Sequence, residues 1–464
     1  MPEKEIQNVY FIGIGGIGMS AIARFYKTKG KRVCGYDRTP TPLTSSLQDE
    51  GIAVHFTEDV KEIPEIFKEE IEHTLVIYTP AIPADHSELQ YFRNNGYKLI
   101  KRSQALGFLT KGQKTVAVAG THGKTTTSTL IAHILKQSEL GCNAFLGGIS
   151  KNYQTNLLLD AGSPFVVTEA DEFDRSFLQL FPYIAVVTAA DADHLDIYGT
   201  HEELKKAFCK FINQIQPGGN LVIKKGLDLD LSGKRDINIY TYSLTEKADF
   251  TAQNVKIVEG AYEADIILPQ GKPIHVRIGI PGLLNVENTI AAVAVAWLLK
   301  VDEKHIQQAV ESFSGVNRRF DYHLKTDKII YIDDYGHHPE ELRFTISSVR
   351  ELYPGRKVFG IFQPHLYTRT RDLAEDFVRS LNLLDGLVLL PIYPAREKPI
   401  PGVTSQMLLD KVSVKEKILC SKEELTNALA KMQFDVLLTM GAGDIDKLVG
   451  TVKKCLINKF GLDE

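Results

Sequence analysis

The sequence predicts an α/β protein made of three modules in series, and three observations support this fold class. Strand-like apolar runs alternate with helical patterns along almost the whole chain, which favours parallel sheets built from βαβ units. The length of 464 residues corresponds, at roughly 150 residues per domain, to about three domains. Two glycine-rich loops, at residues 13–18 and 120–127, each lie between an apolar run and a helical pattern.

The first module is predicted to begin with a strand at residues 9–14 and a helix at 19–29. Further strands are expected at residues 31–36 and 75–78. A polar stretch at residues 111–114 precedes a fresh strand at 115–119, and we therefore place a domain boundary near residue 110.

The second module continues with strands at residues 165–168, 184–189 and 220–224. Between residues 250 and 280, β-type runs follow one another without helices, which predicts an antiparallel hairpin insert or an extension of the sheet. Helices are predicted again at residues 286–299 and 303–313.

A second boundary is predicted near residues 317–321, where a third alternating set begins. Its strands are expected at residues 328–333, 357–362, 386–390 and 435–440. The predicted domains are therefore residues 1–110, 111–317 and 318–464.

Composition and charge exclude several classes of protein. Hydrophobic residues make up 44% and charged residues 24% of the chain, ordinary values for a folded globular protein. The 54 Lys and Arg against 58 Asp and Glu give a net charge of −4, without the basic surplus typical of proteins that bind nucleic acid or anionic membranes. The five cysteines form no CxxC pair, which favours reduced thiols in the cytosol.

The N-terminus MPEKEIQ does not resemble a signal peptide, and the longest apolar run, at residues 289–299, is too short to cross a bilayer. We therefore expect a cytoplasmic enzyme with no nucleic-acid and no membrane partner. The oligomeric state stays open between a monomer and a homodimer.

The first glycine loop fits the pattern GxGxxG, with Gly13, Gly15 and Gly18 at the glycine positions. Glycines let backbone N–H groups approach a diphosphate at a helix N-terminus, and Asp37, at the end of the next strand, suits a ribose hydroxyl. The loop predicts a phosphate-bearing nucleotide, although a glycine turn that serves only packing is the alternative. It does not say which nucleotide, and on this segment alone an NAD-dependent dehydrogenase would lead.

The second glycine loop has the sequence GTHGKTTT at residues 120–127. Two residues rather than four separate its glycines, so it departs from the usual P-loop pattern. Glycine-rich backbone, a lysine for the β- and γ-phosphate charge and a hydroxyl for Mg²⁺ are nevertheless all present. The loop predicts ATP binding.

Acidic residues follow two of the predicted strands at their carboxyl ends, where α/β sheets bind ligands. Residues 169–172 are Glu-Ala-Asp-Glu, and residues 191–194 are Asp-Ala-Asp-His. Beside a phosphate loop these carboxylates predict bound Mg²⁺. His194 is either a metal ligand or an orienting group, because Mg²⁺ prefers oxygen. A dehydrogenase has no use for a γ-phosphate loop.

These motifs together resemble the Mur ligases, in order and along essentially the whole chain. The segments that carry the resemblance are residues 120–127, 169–172, 193–194, 285–288, 318–320, 333–339 and 362–370. Residues 13–20, 333–339 and 363–365 are most similar to the branch that adds L-alanine to UDP-N-acetylmuramate.

The resemblance implies a fold and an activity. The fold would be an N-terminal Rossmann-like UDP-binding domain, a central P-loop ATPase-like α/β domain with a β extension, and a C-terminal Rossmann-like α/β domain that binds the amino acid. The reaction would be ATP-dependent ligation of L-alanine to the lactyl carboxylate of UDP-N-acetylmuramate through an acyl phosphate, in peptidoglycan precursor synthesis. The substrates would be UDP-N-acetylmuramate, L-alanine and ATP, with Mg²⁺.

The resemblance also implies roles for individual residues. The UDP-sugar would be bound by Gly15, Gly16, Gly18, Ser20, Asp37 and Thr79. ATP would be bound by Gly120, Thr121, His122, Gly123, Lys124, Thr125, Thr126, Asn285, Asn288, Arg319 and Asp334. Mg²⁺ would be held by Thr125, Glu169 and His194. The amino acid would be bound by Tyr335, His337 and Arg369. Catalysis would depend on Lys124, Glu169, His194, Arg319 and His337.

Three other hypotheses remain open at this point. The nearest is the ligase of murein recycling, which joins a tripeptide to the same UDP-sugar. The others are an NAD-dependent dehydrogenase and an ATP-driven binding switch without chemistry of its own. His337 is a candidate base for the incoming amine, with a structural histidine as the alternative.

Overall fold

The computed structural model describes residues 6–193, 195–233, 236–395 and 397–462, with the side chains of residues 195 and 196 outside that description. The chain forms two compact units. The first comprises Met1–Thr251, Ile266–Ile274 and Asn288–Val310, and the second comprises Ala252–Asp265, His275–Glu287 and Glu311–Glu464.

The first sheet is fully parallel, with the strand order β3-β2-β1-β4-β5 of a Rossmann-like domain. Its strands are β1 Asn8–Ile12, β2 Arg32–Tyr36, β3 Ala53–His55, β4 Thr74–Tyr78 and β5 Lys98–Lys101. Its helices are α1 Ile17–Thr28, α2 Pro42–Asp49, α3 Glu65–Glu69, α4 Ser87–Asn94 and α5 Arg102–Thr110. Helix α1 buries Met19, Ile22, Ala23 and Tyr26, a spacing of three and four residues that places them on one face.

The second sheet has ten strands in the order β15-β14-β13-β12-β11-β10-β6-β9-β7-β8. The strands are β6 Lys114–Ala119, β7 Asn143–Ser150, β8 Thr155–Leu158, β9 Phe165–Glu169, β10 Ile184–Val187, β11 Asn220–Lys224, β12 Asn238–Ser243, β13 Phe250–Val258, β14 Ala261–Ile267 and β15 Ile274–Ile278. The helices that follow these strands in the chain are α6 Lys124–Gln137, α7 Leu195–Tyr198, α8 His201–Asn213, α9 Leu283–Leu298 and α10 Glu303–Ser312. The β-type runs after residue 250 therefore extend this sheet.

The third sheet has the order β16-β17-β21-β18-β19-β20, parallel except for the antiparallel edge pair β16–β17. Its strands are β16 Asp321–Lys325, β17 Ile330–Asp334, β18 Val358–Phe362, β19 Gly386–Leu389, β20 Glu416–Leu419 and β21 Val436–Met440. Its helices are α11 Pro339–Leu352, α12 Tyr367–Asp372, α13 Ala374–Leu381, α14 Ser405–Lys411, α15 Leu425–Lys431 and α16 Val449–Phe460. Helix α11 starts with His338 as N-cap, Pro339 in its first turn and Glu341 completing a capping box.

The predicted class of three α/β modules is confirmed by these three sheets. The boundaries near residues 110 and 317 stay a prediction. Within the described residues, the helices are all too short or too polar to qualify as a membrane-spanning segment.

Candidate active site

The first glycine loop connects β1 to α1 and is held by close contacts that only glycine permits. Gly13 has φ +87°, and a Cβ there would lie 2.5 Å from Thr79 Cγ2. The N–H of Gly15 donates to Asp37 Oδ2 at 2.7 Å, and a Cβ on Gly15 would lie 2.8 Å from that oxygen. The sequence predicts that Asp37 binds a ribose hydroxyl. In the structure the Asp37 carboxylate also holds the glycine loop through its hydrogen bond with Gly15.

Helix α1 begins at this loop with Gly16 as its N-cap residue, and no side chain in the described part of the chain caps it. The N-terminus of a helix attracts anions because its first N–H groups have no partner within the helix. The guanidinium of Arg102 lies beside this turn, since a Cβ on Gly18 would be 2.9 Å from Arg102 Nη1. The first turn of α1 can therefore bind a diphosphate.

Ser20 lies at the end of the first turn of α1, and its hydroxyl makes hydrogen bonds within the protein. Its side chain is fully buried, and its hydroxyl donates to the Ile17 carbonyl at 2.9 Å and accepts from Asn156 Nδ2 at 3.0 Å. Contact of Ser20 with the UDP-sugar stays a prediction, and the hydrogen bonds of this hydroxyl point to a structural role.

The second glycine loop connects β6 to α6. Gly120 has φ +136°, and a Cβ there would lie 2.2 Å from Thr188 Oγ1. Thr121 Oγ1 donates to Asp191 Oδ2 at 3.4 Å, and His122 Nε2 lies 3.3 Å from the same oxygen. The loop therefore depends on the two residues Thr188 and Asp191, which follow strand β10.

Lys124, the first residue of α6, donates from Nζ to both carboxylate oxygens of Glu172, at 2.8 Å each. Glu172 is fully buried. Burial lowers the pKa of Lys124, but the carboxylates of Glu172, Asp171 and Glu169 outweigh it and hold that pKa above its usual value. Lys124 is therefore a permanent positive charge at the phosphate loop.

Thr125 and Glu169 lie together as predicted, with Thr125 Oγ1 donating to Glu169 Oε2 at 2.8 Å. A Cβ on Gly147 of β7 would lie 1.8 Å from Glu169 Oε2, so a glycine is required beside this carboxylate. A hydroxyl and a carboxylate are oxygen ligands of the type that Mg²⁺ prefers. Thr126 is buried one residue further along the helix.

Two further predicted ATP residues, Asn285 and Asn288, are carried by α9. Asn288 accepts at Oδ1 from Thr127 Oγ1 at 3.1 Å and lies close to Gly123, where a Cβ would be 2.7 Å from the same oxygen. Asn285 donates from Nδ2 to the Pro281 carbonyl at 2.6 Å. His194 lies outside the described residues, so its role as a metal ligand stays a prediction.

One cavity of about 260 Å³ connects the first glycine loop to the acidic residues after β9. Gly16, Gly18 and Thr79 line it on one side, and Glu169 and Asp171 line it on the other. Arg102 also lines this cavity, and its Nη2 lies 3.7 Å from Asp171 Oδ2. A molecule with a diphosphate at the first turn of α1 could therefore extend a second group toward Glu169.

In the second unit, the segment before β16 holds two arginines in different ways. Arg318 donates from Nε to Asp333 Oδ2 at 3.0 Å and from Nη2 to the Gly441 carbonyl at 2.7 Å. The guanidinium of Arg319 lies 4.9 Å from the centre of the Tyr335 ring, and its Nη1 is 3.6 Å from Glu341 Oε1. The Arg318 guanidinium also lies 5.1 Å from the centre of the Tyr335 ring, so the two arginines differ in that Arg318 is bonded to Asp333 and Gly441 whereas Arg319 lies near Glu341.

Asp334 is buried at the end of β17 and bonded to the backbone. Its carboxylate accepts from the N–H of Phe320 at 2.8 Å and from the N–H of Gly336 at 2.7 Å. Burial raises the pKa of Asp334 to about 6, although the Arg319 charge and these N–H groups act in the opposite direction. Direct contact with ATP stays a prediction, and Asp334 shapes the loops that carry Arg319 and Tyr335.

The residues predicted to bind the amino acid form one cluster with the side chains of Glu341 and His365. His337 Nδ1 lies 3.2 Å from the Tyr335 carbonyl and 3.5 Å from Glu341 Oε2. The ring centres of His337 and His365 are 6.0 Å apart, and Arg369 Nη1 lies 3.4 Å from His365 Nδ1. Arg369 is largely buried, with 8% exposure. The structure therefore brings Arg319, Tyr335, His337 and Arg369 together.

Three residues of these sites were given no binding or catalytic role from the sequence, namely Arg102, Glu341 and His365, and Glu172 was expected near Mg²⁺ and not beside Lys124. Glu172 belongs to the acidic motif at 169–172, and only the structure shows its ion pair with Lys124. Glu341 has a sequence signal as well, because it stands in the N3 position of a helix start. Arg102 has none, since its position depends on how the first two domains pack.

Three family models match consecutive parts of the chain. They are the Mur ligase family catalytic domain at residues 8–114, the Mur ligase middle domain at 118–296 and the Mur ligase glutamate ligase domain at 318–443.

Similar proteins match over nearly the whole chain. A UDP-N-acetylmuramate–L-alanine ligase of Parabacteroides distasonis is 54% identical over 460 residues, covering 99% of this chain and 99% of that protein. One from Porphyromonas gingivalis is 52% identical over 453 residues, covering 97% and 99%. The crystal structure of UDP-N-acetylmuramate-alanine ligase from Thermotoga maritima superposes with a TM-score of 0.81 at 27% identity, covering 98% of this chain and 99% of that one. The resemblance inferred from the motifs is confirmed, and the chain belongs to the Mur ligase family.

Proposed function

We propose that this chain ligates L-alanine to the lactyl carboxylate of UDP-N-acetylmuramate, with cleavage of ATP to ADP and phosphate. The single observation that carries the proposal is the cavity shared by Gly16 and Gly18 of the first loop and by Glu169 beside the phosphate loop. A redox coenzyme has no need of such a connection. Relatives that are 54% and 52% identical are named for this reaction.

The first step activates the carboxylate. A lactyl carboxylate oxygen attacks the γ-phosphorus of ATP, the bond to the β-phosphate oxygen breaks, and ADP leaves with that electron pair. Such a transfer depends on neutralising charge around the phosphorus more than on covalent catalysis. Lys124 fits this role because its ammonium is permanently charged and held at the start of α6.

Thr125 and Glu169 would hold Mg²⁺ beside the phosphates, which fits the 2.8 Å contact of their oxygens. The ion would supply positive charge to the β- and γ-phosphate oxygens. Among the described residues, no three His, Cys, Asp or Glu side chains are grouped as a metal site. Magnesium is commonly held by one or two protein oxygens together with phosphates and water.

The second step forms the amide. The neutral amine of L-alanine attacks the carbonyl carbon of the acyl phosphate, phosphate leaves, and the amine loses a proton. With an α-amino pKa near 8, about a tenth of the amine is neutral at pH 7. If His337 carries its proton on Nδ1, 3.2 Å from the Tyr335 carbonyl, Nε2 is the nitrogen that accepts a proton. Arg369 would bind the alanine carboxylate.

The test is phosphate release by the purified chain with ATP, Mg²⁺ and UDP-N-acetylmuramate, with L-alanine or the tripeptide added in turn. We expect release only with L-alanine, in equal amount to the amide product. Release with the tripeptide alone would assign the chain to murein recycling instead. Release without any amino acid would indicate an ATP-driven switch, and oxidation of a nicotinamide coenzyme would indicate a dehydrogenase.

The acyl phosphate has an independent test. When the lactyl carboxylate carries ¹⁸O, one labelled oxygen must appear in the released phosphate, because that oxygen bridges carbon and phosphorus in the intermediate. Unlabelled phosphate would contradict the mechanism without contradicting the overall reaction.

A further inference from the structure

Asn156 on strand β8 is a fully buried amide that joins the central domain to the helix after the first glycine loop. From its contacts we infer that Asn156 is a positioning residue, which holds the first turn of α1 where the UDP-sugar diphosphate binds. The inference rests on the proposed function, because it assigns that substrate to this turn.

The amide of Asn156 uses both of its ends on α1. Nδ2 donates to the Ile17 carbonyl at 2.5 Å and to Ser20 Oγ at 3.0 Å. Oδ1 accepts from Arg24 Nη1 at 2.6 Å. Since Ile17, Ser20 and Arg24 lie in the first two turns of α1, one side chain contacts this helix at three points.

The partner of Oδ1 is itself fixed within the N-terminal domain. Arg24 donates from Nε to Glu50 Oε2 at 2.7 Å and from Nη2 to Glu50 Oε1 at 2.6 Å, and Nη2 also donates to Ser46 Oγ at 3.0 Å. Although burial acts in the opposite direction, the hydrogen bonds of Arg24 and Ser46 lower the pKa of Glu50. Because a bidentate ion pair holds Arg24, its guanidinium is a fixed donor to Asn156 Oδ1.

Apolar packing alone does not fix the orientation of α1 against the central domain. The rings of Phe25 on α1 and Phe145 on β7 have centres 5.7 Å apart, a contact that tolerates sliding and rotation. Directional hydrogen bonds to a main-chain carbonyl fix the rotation of α1 about its axis. That rotation determines how the N–H groups at Gly16 and Gly18 face the cavity shared with Glu169.

The experiment compares three variants of the full chain by calorimetric binding of UDP-N-acetylmuramate and by steady-state kinetics. Asn156→Ala removes all three contacts. Asn156→Asp keeps the shape and the acceptor for Arg24 but can no longer donate to Ile17 and Ser20. Asn143→Ala is the matched control, because Asn143 of β7 makes three hydrogen bonds within the central domain, to the Asp160 and Ser163 carbonyls and from the Asp160 N–H.

We expect Asn156→Ala and Asn156→Asp to weaken UDP-sugar binding roughly 5- to 100-fold, the range for loss of buried hydrogen bonds, with the KM for ATP changed less than about twofold. Asn143→Ala should leave UDP-sugar binding within about twofold of the unchanged chain. Equal weakening in Asn143→Ala, or an unchanged affinity in Asn156→Asp, would overturn the inference.

Further variants and a second measurement cover the cases in which Asn156→Ala does not fold or the unchanged chain does not bind the UDP-sugar. If Asn156→Ala does not fold, the isosteric Asn156→Asp decides, supported by Arg24→Lys, which shortens the donor and should weaken binding in the same direction. If the unchanged chain does not bind the UDP-sugar, the proposed function fails. The positional claim is then judged by hydrogen exchange of residues 13–28, which must accelerate in Asn156→Asp and stay unchanged in Asn143→Ala.

Discussion

The ammonium of Lys124 lies 2.8 Å from each carboxylate oxygen of Glu172, and this glutamate is fully buried. This ion pair is expected to affect both turnover and stability, and the two effects can be measured separately. We propose that the lysine is a catalytic charge and that Glu172 has a structural role, because removal of one charge of a buried ion pair costs about 3–5 kcal/mol.

Replacement of Lys124 by methionine should abolish phosphate release, with a loss of at least about 10²–10³ in kcat. It should also lower the free energy of unfolding, because Glu172 loses its partner. The double variant Lys124→Met with Glu172→Gln should regain most of that stability but none of the turnover. Urea unfolding and phosphate release measure the two effects, and retained ligation in Lys124→Met would show that the loop is misinterpreted.

The two adjacent glycines of the first loop predict the same loss of binding but different effects on stability. A Cβ on Gly16 meets no atom closer than 3.6 Å, whereas one on Gly15 would lie 2.7 Å from Thr44 Cγ2. Gly16→Ala should therefore unfold at nearly the same temperature as the unchanged chain but bind the UDP-sugar about tenfold or more weakly, because its methyl group enters the cavity. Gly15→Ala should lose both stability and binding. Unchanged binding in Gly16→Ala would place the diphosphate elsewhere.

The neighbouring arginines 318 and 319 form another matched pair. Arg319→Ala should lower kcat about 10²–10³-fold and leave UDP-sugar binding intact, because the guanidinium is expected at the transferring phosphate. Arg318→Ala should instead lower the melting temperature, since it removes the cation paired with the buried carboxylate of Asp333, which also accepts from Thr439 Oγ1. Single-turnover kinetics with calorimetric binding and thermal melts distinguish them, and normal turnover in Arg319→Ala would remove its catalytic role.

The sequence predicted the strands that run through the three sheets because buried parallel strands are continuous apolar runs. The predicted strand at 220–224, for example, coincides with β11. Strands β7 and β8 gave no such signal. Gly147 interrupts the apolar pattern of β7, and its reason is the tertiary contact with Glu169, which no local pattern contains.

The candidate site was predictable where the chemistry requires a fixed residue type at a fixed spacing. Thr125 and Glu169 meet as expected because a P-loop and the carboxyl end of the neighbouring strand share one edge of the sheet. Arg102 and Asn156 were not predictable, because each acts across the packing of two domains that are distant in sequence. The resemblance assigned Ser20 to the UDP-sugar, which stays a prediction, and no local pattern contains its buried hydrogen bond with Asn156.

A buried carboxyl in the N-terminal domain predicts a pH dependence of stability. Glu88 is fully buried and accepts from the Tyr10 hydroxyl at 2.7 Å, with His55 Nε2 at 3.6 Å from its other oxygen. Burial, with the charges of Glu58 and Asp59, raises the pKa of Glu88 to about 7 from a model-compound value of 4.5. The folded chain therefore holds this proton more tightly than the unfolded chain does.

Because the folded-state pKa is the higher one, the contribution of Glu88 to stability is present below pH 4.5 and is lost as the pH rises through about 7. Glu88→Gln keeps an oxygen for Tyr10 but cannot ionise. We expect the variant to gain stability relative to the unchanged chain between pH 5 and pH 8, by on the order of 2 kcal/mol. Burial lowers the pKa values of His55 and His86, so the stability that these histidines contribute is lost as the pH falls and not as it rises. Both histidines are present in the unchanged chain and in Glu88→Gln, and their effect cancels in the comparison.

Urea unfolding of both proteins at several values of pH gives this difference directly. The partly exposed Glu58 provides the control, since Glu58→Gln removes a charge near the same cluster without removing the buried carboxyl. In Glu58→Gln the pKa of Glu88 should fall somewhat, and the loss of stability with rising pH should become smaller but persist. A difference between Glu88→Gln and the unchanged chain that stays constant from pH 5 to pH 8 would mean that Glu88 does not change its ionisation in this range.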